Sequence, residues 1–248
     1  MIDKLTQLGS RLIRIALHNP GNLQHVLGTA NWTAGEIMDP VADVRPIPTV
    51  DLLDISPGTQ RWTLQSFPSV GASVSPLECA ALAALSHLVN ATRIFEFGTY
   101  KGVSTTQLAL NLAPGGMVFT LDLPEDHPAY SLPIPKPEEQ QIAAEGGKGI
   151  LIPRDLLDRV TFLQSDSATF DESPYAGTMD LVFVDGAHSY EYVKNDTEKG
   201  WKMLRPGGIL AWHDCVASHR DVVKYIKESN LTPKRVSGTA LAFAIKPR

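Results

Sequence analysis

An apolar run, Arg93-Ile94-Phe95, enters the segment Glu96-Phe97-Gly98-Thr99-Tyr100-Lys101-Gly102, and a helical pattern begins at Val103-Ser104-Thr105. A strand that turns through glycines directly into a helix limits the possible folds more than any other stretch of this chain. Glycine lets the backbone reverse sharply and come close to a ligand, and the helix start that follows offers unpaired amides. From here on, apolar runs alternate with helical periodicity: strands at 93–97, 117–121, 160–164, 180–184 and 208–212, and helices at 103–112, 189–203 and 218–228. Such alternation predicts an α/β fold, a parallel sheet with helices on both faces.

The expected architecture is therefore a Rossmann-like doubly wound sheet. It is mostly parallel, with a C-terminal antiparallel hairpin formed by 234–236 and 241–245 around Ser237-Gly238. Its N-terminal border is marked by Ser75-Pro76-Leu77-Glu78. Ser suits the N-cap, Pro the first helical position, and Glu at the third completes a capping box for a helix running to about Leu88. Residues 75–248 thus form the main domain and residues 1–74 an extension. In the extension Ile2, Leu5, Leu8, Leu12, Ile15 and Ala16 recur at helical steps over 1–18. That face fits the domain, a partner subunit of a homo-oligomer, or the substrate mouth. Residues 19–75, rich in Pro, Gly, Thr and Asn, read as loops and short elements. An insertion at 123–158, with Pro124, Pro128, Pro133, Pro135 and Pro137 ahead of a helix near 138–145, has the character of a lid or a substrate-selecting loop.

The net charge of −5, with no lysine or arginine cluster, argues against nucleic-acid binding, which needs a basic footprint. A small-molecule partner suits it better. No stretch approaches membrane-spanning length and 1–19 lacks a secretory core, so the expected address is cytoplasmic. Cys79 and Cys215 have neither metal-ligand nor disulfide-framework spacing and read as structural thiols in a reducing compartment.

The glycine loop departs from a nicotinamide fingerprint, which reads GxGxxG and cradles a pyrophosphate. Glu96 stands where the first glycine would be. A carboxylate repels a pyrophosphate but suits the ammonium of a methionine moiety, while the loop amides and Ser104 can receive that moiety's carboxylate. The pattern favours S-adenosylmethionine held by Glu96, Gly98, Thr99, Tyr100, Gly102 and Ser104. Asp122 ends the second strand, where a doubly wound fold binds a ribose diol. Asp166 and Ser167, beyond the third strand, are placed to flank an adenine. The strand 180–184 delivers Asp185 to the sheet edge, and 208–212 delivers His213 and Asp214. Adjacent strands lie about 4.8 Å apart, so these three side chains can share a cation. Leu204-Arg205-Pro206-Gly207-Gly208 reads as a structural turn into that strand.

These segments together resemble the class I S-adenosylmethionine-dependent methyltransferases over roughly residues 75–246. Glu96 to Ser104 is similar to the corresponding loop of catechol O-methyltransferase. Phe183-Val184-Asp185-Gly186-Ala187-His188-Ser189-Tyr190 and Trp212-His213-Asp214 resemble a bacterial group that includes macrolide-sugar and cephalosporin-pathway O-methyltransferases. The resemblance implies methylation of a small-molecule hydroxyl on a natural product, sugar or phenol, with Mg2+ at Asp185, His213 and Asp214 and with Asp185 also on the cofactor side. Imidazole at position 213 suits manganese or another transition ion better than magnesium. His188 stands where the catechol enzyme carries a lysine base and the macrolide-sugar enzymes a histidine, and is the expected proton acceptor, with His213 as the rival base. Metal-independent N- or O-methyl transfer is the alternative, and a nicotinamide-dependent oxidoreductase fits less well.

Overall fold

The computed structural model describes residues 47–56, 60–67, 71–124 and 130–248. The amphipathic segment expected at 1–18 lies outside them. The described chain runs β1 (Thr49–Val50), α1 (Leu52–Ile55), α2 (Pro76–Leu88), β2 (Arg93–Phe97), α3 (Val103–Leu110), β3 (Met117–Asp122) and α4 (Pro137–Ala144). It continues through β4 (Val160–Gln164), β5 (Met179–Val184), α5 (Tyr190–Met203), β6 (Leu204–Trp212), α6 (Arg220–Glu228), β7 (Lys234–Val236) and β8 (Ala242–Ile245). Short 3-10 turns at Arg154–Arg159 and Ser173–Tyr175 precede β4 and β5.

One sheet of eight strands has the order β1-β7-β8-β6-β5-β2-β3-β4. All neighbours are parallel except β8, which runs antiparallel to both β6 and β7. The expected C-terminal hairpin is present, but it does not simply extend an edge. Its return strand is wedged beside β6, so β7 points the same way as the parallel strands and accepts β1 as a further neighbour. The stretch 204–208, expected as a turn, is the opening of β6. The register slips there between Met179/Leu204 and Leu181/Ile209, so the Pro-Gly-Gly residues bulge out of an otherwise continuous strand. Asp180 fastens the bulge, accepting from Arg205 Nε at 2.6 Å and from the amides of Thr92 and Arg93 at 2.7 and 2.9 Å.

Strand parity divides the core. Ile94, Leu181, Phe183, Ile209 and Ala211 face one helical layer with Leu82 and Leu85 of α2 and Val103 and Leu108 of α3. Phe95, Phe97, Val182, Val184, Leu210 and Trp212 face the other, with Val193 and Met203 of α5 and Val222 and Ile226 of α6. Every residue of β5 is buried, as expected for a central parallel strand covered on both sides. At 2.8 Å, the buried indole of Trp212 donates to Thr197 Oγ1, which removes the cost of an unpaired polar group in this layer. Because β2 is flanked by β3 on one side and β5 on the other, chain connections leave it in opposite directions. The carboxyl ends of β2 and β5 therefore open the crevice in which such sheets bind ligands.

Candidate active site

Sheet hydrogen bonding continues one step past the strands and aligns the residues that follow them. Gly98 N donates to Leu121 O (2.8 Å), Asp185 N to Phe97 O (2.9 Å), Ser165 N to Asp122 O (3.0 Å) and His213 N to Val184 O (3.0 Å). The row borders an open cleft. Phe97, Leu121, Ile134 and Ile142 form its apolar walls, and Gly98, Tyr100, Asp122, Asp166, Ser167, Asp185 and His188 all line it.

At Gly98 φ is +94°, and a Cβ would fall 2.1 Å from Asp185 O, so only glycine lets β2 and β5 come this close. Gly102, at φ +87°, turns the chain into α3. Asp122 secures the loop between them. Its Oδ2 accepts from Thr99 N and Tyr100 N (3.0 and 2.8 Å), and its Oδ1 accepts from Leu123 N and Lys148 Nζ (2.8 and 2.9 Å).

Glu96, Thr99, Gly102 and Ser104 lie behind the loop and are not among the cleft's lining residues. Glu96 shares the parity of Ile94 and faces α3, where Thr105 and Thr120 donate to its Oε2. Burial pushes its pKa up to about 7, against hydrogen bonds from Ser104, Thr105 and Thr120 that pull it down. In the ligand-free protein Glu96 thus belongs to a buried network that supports the loop from beneath, with its Oε1 making no hydrogen bond among the described residues. Asp166 is committed as well, accepting from Ala168 N (2.9 Å), Tyr192 OH (3.0 Å) and Ser131 N of the insertion (2.7 Å).

The insertion covers the cleft. Glu139 of α4 accepts from His188 N at 3.1 Å and places Oε1 3.4 Å from His188 Nδ1. On the far side of the ring, His188 Nε2 lies 2.7 Å from Asp214 Oδ2. Burial works to lower the His188 pKa, but Asp214 and Glu139 outweigh it and raise it to about 9. His213 Nδ1 lies 3.0 Å from Asp185 Oδ1 and 3.2 Å from Asp214 Oδ2, while its Nε2 faces Glu78 Oε2 at 3.4 Å. Burial opposes the charge on His213 too, and the surrounding carboxylates hold its pKa well above the ordinary imidazole value. Asp214 is held far below the usual carboxylate range by His188 and His213, against its burial. It adopts a left-handed backbone, φ +56°, a strain commonly found at functional positions.

The expected metal ligands are brought together: Asp185, His213 and Asp214 each offer a donor atom within 4.8 Å of the others. Neighbouring ligands on an octahedral ion with bonds of about 2.1 Å stand about 3 Å apart, so the observed spacings fit a divalent ion. The cleft also fits a cationic adenosyl donor. Asp122, Glu139, Asp166 and Asp185 face it with Lys148 as the opposing cation, a balance that disfavours a pyrophosphate.

Sequence reasoning missed several contributors. Glu78 was legible only as a capping residue, which it is: Ser75 N donates to its Oε2 (2.6 Å) and its amide donates to Ser75 Oγ (3.4 Å). That the same carboxylate faces His213 is a long-range fact. Glu139, Lys148, Tyr192, Asp196 and His219 were missed likewise. For Glu139 and Lys148 the available signal was charge inside an insertion with the character of a lid.

Residues 95–215 match the family model described as a methyltransferase domain. The chain is 32% identical over 133 residues to mouse (Mus musculus) catechol O-methyltransferase domain-containing protein 1, covering 52% of this chain and 44% of that protein. It is 28% identical over 163 residues to a caffeoyl-CoA O-methyltransferase of Populus kitakamiensis, covering 61% and 60%. It therefore spans about half the length of these curated relatives. Among solved structures, an O-methyltransferase from Bacillus cereus in complex with SAH aligns with TM-score 0.52 at 21% identity, covering 71% of this chain and 84% of that one, and shares the fold. The methyltransferase-domain match over 95–215, the glycine loop at the β2–β5 crevice and these relatives make the chain similar to S-adenosylmethionine-dependent O-methyltransferases of class I.

Proposed function

We propose that this protein methylates a hydroxyl group of a small molecule, a natural product, sugar or phenol, using S-adenosylmethionine with help from a divalent ion. The observation that carries the reading is the meeting of Asp185, His188, His213 and Asp214 at one sheet edge beside the Gly98 loop. The names of the relatives, a catechol O-methyltransferase domain protein and a caffeoyl-CoA O-methyltransferase, support an oxygen acceptor. Among the described residues no helix is long and apolar enough to cross a membrane. We read the protein as cytoplasmic and the acceptor as freely diffusing.

The donor supplies an electrophilic methyl group on a positively charged sulfur. Asp185, His213 and Asp214 would hold a divalent ion, whose charge would make a nearby hydroxyl more acidic. The protein's own residues do the rest. The loop from Gly98 to Gly102 and Asp122 orient the donor, Asp166 and Ser167 border its base, and the apolar walls exclude water. His188 in its neutral form accepts the hydroxyl proton. Asp214 and Glu139, on either side of the ring, stabilise the imidazolium that this transfer creates. Most of the rate comes from orientation, not covalent catalysis.

Calorimetry with S-adenosylmethionine and its demethylated product, with and without magnesium or manganese, tests the reading; binding of neither overturns it. His188→Ala is expected to cut turnover while donor affinity stays near that of the unaltered protein, and unchanged turnover removes His188 from the mechanism. A second reading, metal-independent transfer, is favoured by one observation. His213, held charged between Asp185 and Asp214, already neutralises both carboxylates. Loss of activity with a chelator, and its return with a divalent ion, decides for the first reading.

A further inference from the structure

We propose that the rim of the cleft carries a second cation site, formed by His188, Asp214 and His219, which takes a transition ion such as zinc or cobalt(II) in preference to magnesium. The three residues come from separate places: the loop after β5, the end of β6, and the N-cap of α6. The fold nevertheless puts one donor atom of each within 4.8 Å of the other two. His188 Nε2 lies 2.7 Å from Asp214 Oδ2, His219 Nδ1 lies 3.4 Å from Asp214 Oδ1, and the two imidazole rings are 4.7 Å apart between centroids. The set is distinct from Asp185, His213 and Asp214 and shares only Asp214, whose Oδ2 faces both His188 and His213 and whose Oδ1 faces His219.

Ion pairing of His188 with Asp214 and Glu139 accounts for this arrangement when the ring is protonated, and leaves it unexplained when the ring is neutral. Both ring nitrogens of His188 are buried, yet neither makes an aligned hydrogen bond among the described residues, despite the short contact with Asp214. In the neutral ring, a buried nitrogen lone pair facing a carboxylate is costly unless a cation lies between them. On the opposite side of the ring, Glu139 Oε1 faces Nδ1 at 3.4 Å and Lys136 Nζ at 3.3 Å. A carboxylate on the outer nitrogen of a histidine is the usual support for a metal-ligating imidazole, because it fixes the tautomer that turns the inner lone pair toward the ion. Two imidazoles and one carboxylate suit zinc, cobalt or nickel, whereas magnesium prefers oxygen ligands and retains water.

The chemical consequence rests on the methyl-transfer reading. An ion on His188 Nε2 occupies the lone pair that would receive the acceptor's proton, so this site inhibits where the first site assists. Zinc is then an inhibitor and magnesium is not.

The site is tested on the full chain, stripped of metal, by equilibrium dialysis against cobalt(II) and zinc with metal content measured directly, and by the visible absorption of bound cobalt(II). His219→Ala and His219→Gln are each expected to bind one equivalent fewer than the unaltered protein, with circular dichroism confirming the fold. Glu139→Gln is expected to weaken cobalt binding roughly 10- to 100-fold. Undiminished stoichiometry in both His219 variants, or no cobalt bound by the unaltered protein, overturns the proposal. Calorimetry of S-adenosylmethionine on the same samples keeps the two readings apart. One equivalent of cobalt lost in the His219 variants, without donor binding, sustains this site and removes the methyl-transfer reading, and donor binding without cobalt binding does the reverse.

Discussion

Glu96 is fully buried on the α3-facing side of β2 with its pKa raised to about 7 by burial. Its folded value stands above the ordinary carboxyl value, so the favourable neutral state is complete below about pH 4.5 and is lost as pH rises through about 7. Glu96→Gln, which cannot ionise, is therefore expected to be more stable than the unaltered protein at pH 8 by a few kcal/mol, because each tenfold change in an ionisation equilibrium corresponds to about 1.4 kcal/mol. The gap should close toward pH 4.5. Thermal melts of the ligand-free protein across that range check it, and a gap independent of pH contradicts it. Gly98→Ala tests the loop in front of Glu96. With φ +94° and Asp185 O in the way, it is expected to cost at least about 2 kcal/mol and to abolish donor binding by calorimetry. At this scale, the residues that directly follow a strand were legible in the sequence. Asp122, Asp185, His188, His213 and Asp214 sit where strand ends deliver them. The buried network around Glu96 was not, because Thr105 and Thr120 meet its carboxylate from α3 and β3.

Among the elements, the insertion and α4 decide what the cleft admits. Lys148, brought in by the insertion, holds Asp122 Oδ1 at 2.9 Å, while the other contacts of that carboxylate are loop amides. A ribose diol meeting Asp122 must displace or share that lysine. Lys148→Ala is accordingly expected to tighten donor binding about five-fold, the equivalent of a partly buried ion pair of about 1 kcal/mol. Calorimetric titration of both proteins measures it, and weaker binding by the variant would show that Lys148 holds the donor instead. The helix of the insertion was legible, since Pro137 sits at its first turn and marks its start. Its partners were not legible. Glu139 reaches His188, Ser131 reaches Asp166 and Lys148 reaches Asp122 across dozens of residues, and no local periodicity encodes such meetings.

For the molecule as a whole, the wedged position of β8 matters most. Among the described strands it alone connects β6 to β7, and through β7 to β1. Lys246, just beyond it, donates to Trp201 O and Leu204 O at 2.7 and 2.8 Å and so ties the end of α5 to the start of β6. Deleting residues 242–248 leaves both β6 and β7 with an unpaired edge and is expected to eliminate cooperative unfolding, as followed by circular dichroism and limited proteolysis. The alternation of strands and helices made the doubly wound class legible, because period and length are local properties. Strand order was not, because whether a hairpin caps an edge or is inserted into a sheet depends on which neighbour the return strand finds.

Glu78 joins these levels. Its carboxylate closes the capping box of α2, accepts from Ala240 N at 2.7 Å in the β7–β8 connection, and faces His213. A substitution there loosens a helix start, a chain reversal and a histidine at the reaction edge in one step. The insertion carries no such triple duty. Descendants of this sequence can thus explore new acceptors by changing residues 130–150 while position 78 stays closed to drift.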